Sequence, residues 1–294
     1  MNNKTETLES ERRRLQVWFL LPLLISMIVL IVLPMLSLFG LSFTNYKLNK
    51  SQIDFNFLDN YIKLFKDDNF INACKNTLIF LTITVVFQMI IGTLGAMAIQ
   101  KTKFCSNIIR SLIILPMVIP PVIAGLIWKL LLVPKYGGVD FVLTEMGFVN
   151  LPEWLANPIS AKAMIIIVTI WEWMPFVVLF VLAALESLPA SPYEAIKIDG
   201  ANLIQEIRYL TLPLIKPILS FVLVFRLVEG LKVFPLVFSL TKGGPGRNTE
   251  ELTYFAYNEG FKYFRTGYAS ASAMIMFAVL IAIIVLLYGR KKTA

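Results

Sequence analysis

Histidine is absent from this sequence, and cysteine occurs only at Cys74 and Cys105. Without histidine the usual general base and the commonest metal ligand are missing, and two cysteines build neither a disulfide scaffold nor a thiolate zinc site. Most hydrolase and metalloenzyme chemistries are thereby excluded, and no catalytic or metal-binding residue is assigned. Charge is also scarce: 16% of the 294 residues are charged, against about 25% in a soluble globular domain. No Gly-Lys dipeptide occurs, so the chain lacks the G-x-x-x-x-G-K-[ST] loop whose backbone N–H groups and lysine cradle nucleotide phosphates. What it has in abundance is apolar: 57% of residues are hydrophobic and the mean hydropathy is +0.72. A soluble fold is excluded. The net charge of +8 comes from short basic clusters beside apolar runs, a pattern that points to membrane lipid as a partner and not to nucleic acid.

A bilayer core about 30 Å thick needs roughly 20 apolar helical residues, because no backbone group stays unpaired in hydrocarbon. Stretches of that length run from Val17 to Gly40, Thr77 to Ile99, Ser111 to Val133, Ala161 to Ala184, Pro217 to Leu240 and Gly267 to Tyr288. The first follows Arg12, Arg13 and Arg14 but is too long for a signal peptide and lacks a small-residue cleavage site, so it is expected to be a retained anchor. Pro116, Pro120 and Pro121 are expected to kink the third. Basic residues crowd three ends: Arg12 to Arg14, then Lys101, Lys103 and Arg110, then Arg290, Lys291 and Lys292. With six spans these fall on one side, which predicts that both termini are cytoplasmic. That topology puts Cys74 outside and Cys105 inside, unable to bond.

Between the fourth and fifth spans lies a loop, residues 188–217, with explicit helix punctuation. Ser191 with Glu194 three residues on reads as a capping box, Pro192 suits the first helical position, and Gly200 can take the left-handed conformation that ends a helix. The pattern predicts a short helix from Pro192 to Ile198, a turn, and a second helix from Ala201 to Leu210. By itself this could be an amphipathic hairpin lying in the membrane interface.

Glu194-Ala195-x-x-x-Asp199-Gly200-Ala201, followed by Leu212-Pro213 and Lys216-Pro217, resembles the EAA loop of the inner-membrane permeases of binding-protein-dependent ABC importers. The sequence departs from that pattern at Ile196, where a second alanine is usual, and at Ile207, where an aromatic is frequent. A second segment, Leu240-Thr-Lys-Gly-Gly-Pro-Gly-Arg-Asn-Thr249 with Tyr254, Tyr257, Phe261 and Gly267-Tyr-Ala-Ser-Ala271, is similar to the loop and last span of sugar permeases of the maltose and glycerol-phosphate type. Asn60-Tyr61, Asn76-Thr77 and Ala183-Ala-Leu-Glu-Ser-Leu-Pro189 fit the same family in the same order. The resemblance implies an all-α polytopic protein with the ABC importer type I permease fold: six transmembrane helices and a cytoplasmic helical coupling loop, 188–217. The chain is expected to be one permease domain, 1–294, with a cytoplasmic N-terminus, 1–16, in a bacterial cell (inner) membrane. The resemblance also implies that Tyr193, Glu194, Ala195, Asp199, Gly200 and Ala201 couple the spans to an ATPase. The partners it implies are two cytoplasmic ABC ATPase subunits that carry the ATP and Mg, a second related permease, and an extracellular or periplasmic solute-binding protein. The chain itself is expected to bind no cofactor and to be a transport subunit, not an enzyme.

Ionisable groups near mid-membrane cost several kcal/mol and mark function. The fourth span has its midpoint at Glu172 and Trp173, with Trp171 alongside; the fifth has its midpoint near residue 228, with Arg226 and Glu229 about 2–3 Å of rise away; Gln88 is central in the second. Gln88, Trp171, Glu172, Trp173, Arg226 and Glu229 are therefore the candidate solute pathway, since a midplane site can open to each face in turn. Arg226 with Glu229, or Glu229 with Lys232, could equally pair along one helix face and only lock the bundle. The charges of Glu172, Arg226, Glu229 and Lys232 sum to zero, which favours a neutral polyhydroxylated solute such as a sugar, oligosaccharide or polyol. Competing readings are an ion-coupled secondary transporter acting alone, with Glu172 or Glu229 as its coupling carboxylate, and a membrane transferase, for which Asp67-Asp68 is a poor metal motif.

Overall fold

The computed structural model describes residues 17–50, 52–102 and 106–289. Arg12 to Arg14, the segment 1–16, Lys103, Cys105 and the cluster Arg290 to Lys292 lie outside the described residues. Among those described, helices run in the order α1 Val17–Ser42, α2 Asp59–Leu64, α3 Asp68–Lys101, α4 Ser106–Val118, α5 Pro121–Leu131, α6 Gly138–Glu145, α7 Pro158–Glu186, α8 Ser191–Ile198, α9 Leu203–Glu229, α10 Phe234–Leu240, α11 Leu252–Tyr257 and α12 Thr266–Gly289. The single extended pairing among them is an isolated antiparallel bridge between Thr44 and Phe55. Five of these helices are long and apolar enough to cross a membrane, and six spans result if α4 and α5 count as one.

That pair departs from the expected kinked span. The axes of α4 and α5 meet at 99°. Pro116 is accommodated inside α4, whereas Pro120 is extended at φ −57°, ψ 135° and Pro121 opens α5. Consecutive prolines remove two N–H donors and push the preceding residues out of the helical region, so the chain breaks there.

The fifth span also differs from the continuous Pro217 to Leu240 stretch. Its helix starts earlier, at Leu203, and stops at Glu229; Gly230 to Val233 are non-helical, and α10 follows with Pro235 in its first turn. A side chain on Gly230 would lie 2.7 Å from the Arg226 carbonyl and 2.8 Å from Leu81. The break is thus built on the one residue that fits, and on a proline that cannot continue the helix. Arg226 and Glu229 consequently stand in the last turn of α9, not at the middle of a longer helix.

The chain forms two compact units. In the first, residues up to 66 with 256–276, buried Asn60 donates to the Ser42 and Thr44 carbonyls at 2.9 and 2.8 Å, and the Tyr61 hydroxyl donates to Ser42 Oγ at 2.8 Å. The Asn60-Tyr61 pair thereby ties α2 to the end of α1. Glu259, 2% exposed, pairs with Arg265 at 2.8 Å.

In the second unit, residues 67–255 with 277 onward, α3 packs along α7. The contact is close at Gly92, where a Cβ would meet Val177 Cβ at 2.6 Å. Arg110 of α4 is ion-paired with Glu186 at the end of α7, an exposed pair worth about 0–1 kcal/mol.

The segment from Thr241 to Glu251 is a tight reversal: Lys242, Gly243, Gly246 and Arg247 have φ between 52° and 78°. It is held on α3 by Asn72 donating to the Arg247 carbonyl, Asn76 donating to the Glu250 carbonyl, and Thr77 Oγ1 accepting from the Leu252 N–H, at 2.8 to 2.9 Å. Asn76-Thr77 therefore fastens this loop, which the sequence pattern did not disclose. Glu251, 1% exposed, accepts from the N–H and hydroxyl of Thr253 and from the Tyr254 N–H, capping α11.

Burial pushes the Glu251 carboxyl from its ordinary 4.5 up to about 7, with Glu250 adding to the shift and the three hydrogen bonds opposing it. Between those values the folded chain holds the proton more tightly than the unfolded chain, so stability falls as pH rises through this window and levels off above it. Thermal unfolding of the purified protein between about pH 5 and pH 8 is expected to show that slope, and Glu251→Gln is expected to flatten it. An identical slope in the variant would refute the assignment.

Candidate functional site

Three helices of the second unit bring polar groups together. Gln88 of α3 is fully buried; its Nε2 donates to the Thr169 carbonyl on α7 at 2.9 Å, which turns its Oε1 to accept from Arg226 Nε on α9 at 3.0 Å. The Arg226 guanidinium, 1% exposed, lies 4.4 Å from the centre of the Trp173 ring, a contact worth about 2 kcal/mol when desolvated. Glu172, 3% exposed, is on α7 between the two tryptophans. Glu172, Trp173, Arg226, Glu229 and Lys232 line one narrow cleft, at the breaks marked by Pro121 and Gly230.

Of the two ion pairs open to Glu229, the structure makes the one with Lys232, at 2.8 Å. Arg226 is engaged by Gln88 and Trp173 instead. Two buried atoms in this group, Glu172 Oε1 and Arg226 Nη1, have no hydrogen-bond partner. Trp171 does not join them: it meets Trp128 edge to face at 5.6 Å, within an apolar cluster with Leu236 and Val237. Trp128 is thus a packing partner of Trp171. The cleft requires Gly230 and the Thr169 carbonyl, neither of which was singled out from sequence. A glycine followed five residues later by Pro235 was the available signal for the break.

The loop between the fourth and fifth spans contains α8, Ser191–Ile198, in which no residue is buried. The expected capping box is not formed: Ala190 is the N-cap, without a side-chain bond, and Ser191 and Pro192 are the first helical residues. Ser191 lies one position too late because the chain is already helical at Ala190, φ −71°, ψ −31°. The C-terminus is as expected. Gly200 has φ 76°, its N–H reaches the Lys197 carbonyl at 3.1 Å, and the Ala201 N–H reaches the Ile196 carbonyl at 3.2 Å, the two bonds of a Schellman motif.

The second helix begins at Leu203, not Ala201, because Asn202 and Gln205 form a capping box there, each side chain accepting from the other's N–H at 2.8 to 2.9 Å. It continues through a π-helical turn, Glu206–Thr211, into the fifth span. Glu194, Ala195 and Asp199 are exposed, Ala201 and Tyr193 half-buried, and the Tyr193 hydroxyl donates to Thr211 Oγ1 at 3.2 Å. Tyr193 therefore moors α8 to the foot of the span.

No side chain would touch a Cβ on Gly200, so Gly200→Val acts only through φ, at about 1–2 kcal/mol. Uptake is expected to be lost in this variant and largely kept in Gly200→Asn, which tolerates the left-handed conformation. Equal uptake in the two variants would refute the role of the turn.

Residues 88–290 match the profile of the binding-protein-dependent transport system inner membrane component. The chain belongs to that family. This permease is 36% identical to the probable ABC transporter permease protein y4oQ of Sinorhizobium fredii, over 92% of this chain and 89% of that one. It is 31% identical to the trehalose/maltose transport system permease protein MalF of Thermococcus litoralis, over 99% of each. Among solved structures it resembles a chain of the bacterial alginate ABC transporter in complex with alginate pentasaccharide-bound periplasmic protein, with a TM-score of 0.84, 26% identity, and coverage of 95% of this chain and 94% of that one. The protein is a multi-pass inner-membrane permease subunit of an ABC importer, a transport component with the all-α fold that the EAA resemblance implied.

Proposed function

We propose that this permease carries a sugar, oligosaccharide or related polyol into the cell, through the cleft lined by Glu172, Trp173, Arg226 and Glu229, with Gln88 holding Arg226 from behind. The observation that carries the proposal is a pair of buried, unpartnered atoms on residues that line that cleft, an acceptor on Glu172 and a donor on Arg226. Hydroxyl groups satisfy both kinds at once. Relatives named for trehalose and maltose and for starch degradation products support the class.

Two partner ATPase subunits bind ATP and Mg and hydrolyse the nucleotide, since this sequence has no phosphate loop. A second related permease completes the pathway, and a solute-binding protein delivers the solute from outside. Both termini and the 188–217 loop face the cytoplasm. There α8 docks on an ATPase, with Glu194, Ala195, Asp199, Gly200 and Ala201 at or next to the contact and Tyr193 behind it. Closure of the ATPases pushes α8 and turns the spans outward; hydrolysis resets them.

The test is to tag the chain in its host, extract it gently in detergent and identify what stays bound by mass spectrometry. A Walker-type ATPase and a second six-span protein in stoichiometric amounts are expected, with ATP-dependent saccharide uptake on reconstitution. A chain recovered alone that moves solute down an ion gradient would overturn the proposal.

A further inference from the structure

The cleft holds four charged side chains, and they are not equivalent. Glu229 and Lys232 neutralise each other at 2.8 Å, within one turn of chain. What remains is one carboxylate and one guanidinium, each almost wholly buried, each with an atom lacking a hydrogen-bond partner. Arg226 is held from two sides, by Gln88 Oε1 and by the Trp173 ring, so it cannot swing away with its ligand. Among the described residues Glu172 Oε1 has no hydrogen-bond partner.

Resting on the saccharide reading of this cleft, we infer that Glu172 is a charge filter: it admits the hydroxyls of neutral saccharides and refuses saccharides that carry a carboxylate, sulfonate or phosphate. A neutral solute donates a hydroxyl to Glu172 Oε1 and accepts from Arg226 Nη1, satisfying both orphan atoms without adding charge. An anionic solute also finds Arg226, but its charge then sits against a carboxylate in a place with little water to screen it, and like charges so placed oppose binding. A cleft built for anions would have needed only Arg226 and a neutral residue at position 172.

The experiment uses the purified importer complex, with saccharide binding followed by tryptophan fluorescence, since Trp173 stacks on Arg226. The probes are maltotriose and its uronate counterpart, identical except for oxidation at C6. The wild type is expected to bind maltotriose at least tenfold more tightly than the uronate. Glu172→Gln is expected to shift the ratio of the two constants at least tenfold towards the uronate, and Glu172→Asp, which keeps the charge, to leave the wild-type ordering in place.

A wild type that binds both probes equally, or a ratio unmoved in Glu172→Gln, overturns the filter and leaves the saccharide cleft standing. Failure of maltotriose to bind the wild type overturns the saccharide cleft itself. Should Glu172→Gln fail to assemble, the wild-type ratio and that of Glu172→Asp decide: preference for the uronate in either would refute the filter.

Discussion

Glu194→Lys is expected to abolish uptake and uncouple ATP hydrolysis while the chain still inserts in the membrane. Glu194 lies in the first turn of α8 and is exposed. Its loss removes a favourable interaction with the helix dipole, worth about 0.3–1 kcal/mol at an exposed position. That is too little to dissolve a helix also fixed by the Gly200 turn and the Tyr193 to Thr211 hydrogen bond. The large effect comes from docking, where a reversed charge placed against a complementary surface costs several kcal/mol. Each 1.4 kcal/mol is a factor of ten, so docking weakens by more than a hundredfold. Uptake into reconstituted vesicles and co-purification of the ATPase are the measurements. Unchanged uptake would remove α8 from the coupling role.

Arg226→Ala is expected to reduce uptake to background with the ATPase subunits still bound. The substitution takes away the donor to Gln88, the stack on Trp173, and the cation that faces the cleft with Glu172. Glu172 then lacks the nearby positive charge of Arg226, which disfavours its ionised form without breaking a direct ion pair. Arg226→Lys keeps the charge but loses the planar group that meets Gln88 and Trp173 together, and is expected to retain partial uptake. The decisive comparison is uptake against assembly. Loss of insertion or of ATPase association in Arg226→Ala, with proportional loss of uptake, would mean that Gln88, Glu172 and Arg226 are an internal lock and not a pathway.

Hydropathy placed the second, fourth and sixth spans within the observed helices and the first span to within two residues of its end, because the cost of exposing backbone in hydrocarbon acts on each stretch separately. The turn at Gly200 was legible for the same reason: a left-handed residue is a local steric requirement. Where helices stop was less legible. Pro120 and Pro121 produced a 99° bend where a kink was expected, and the fifth span broke at Gly230, where Leu81 and the Arg226 carbonyl leave no room for a side chain. The capping box read at Ser191 failed while an unremarked one at Asn202 and Gln205 formed. Both sequences satisfy the rule, and the chain's path on entering each helix decides between them.

Arithmetic on span midpoints selected Glu172, Trp173, Arg226 and Glu229, which line the cleft, and Gln88, which holds Arg226, although the bounds of the fifth span were wrong. The structure brings these residues together because buried polar groups in an apolar chain are few and pair with one another. It also included Trp171, which packs on Trp128, since neighbours on a helix point in different directions.

The sequence by itself determined that this protein is helical, membrane-embedded, without a nucleotide-binding loop, and turned at Gly200, since composition, run length and backbone sterics act within one segment. Only the tertiary structure decided that Arg226 donates to Gln88, that Glu229 pairs with Lys232, that Tyr193 moors α8, and that Glu172 Oε1 has no hydrogen-bond partner. A side chain's partner is set by which other helix packs beside it, and that is a property of the whole bundle.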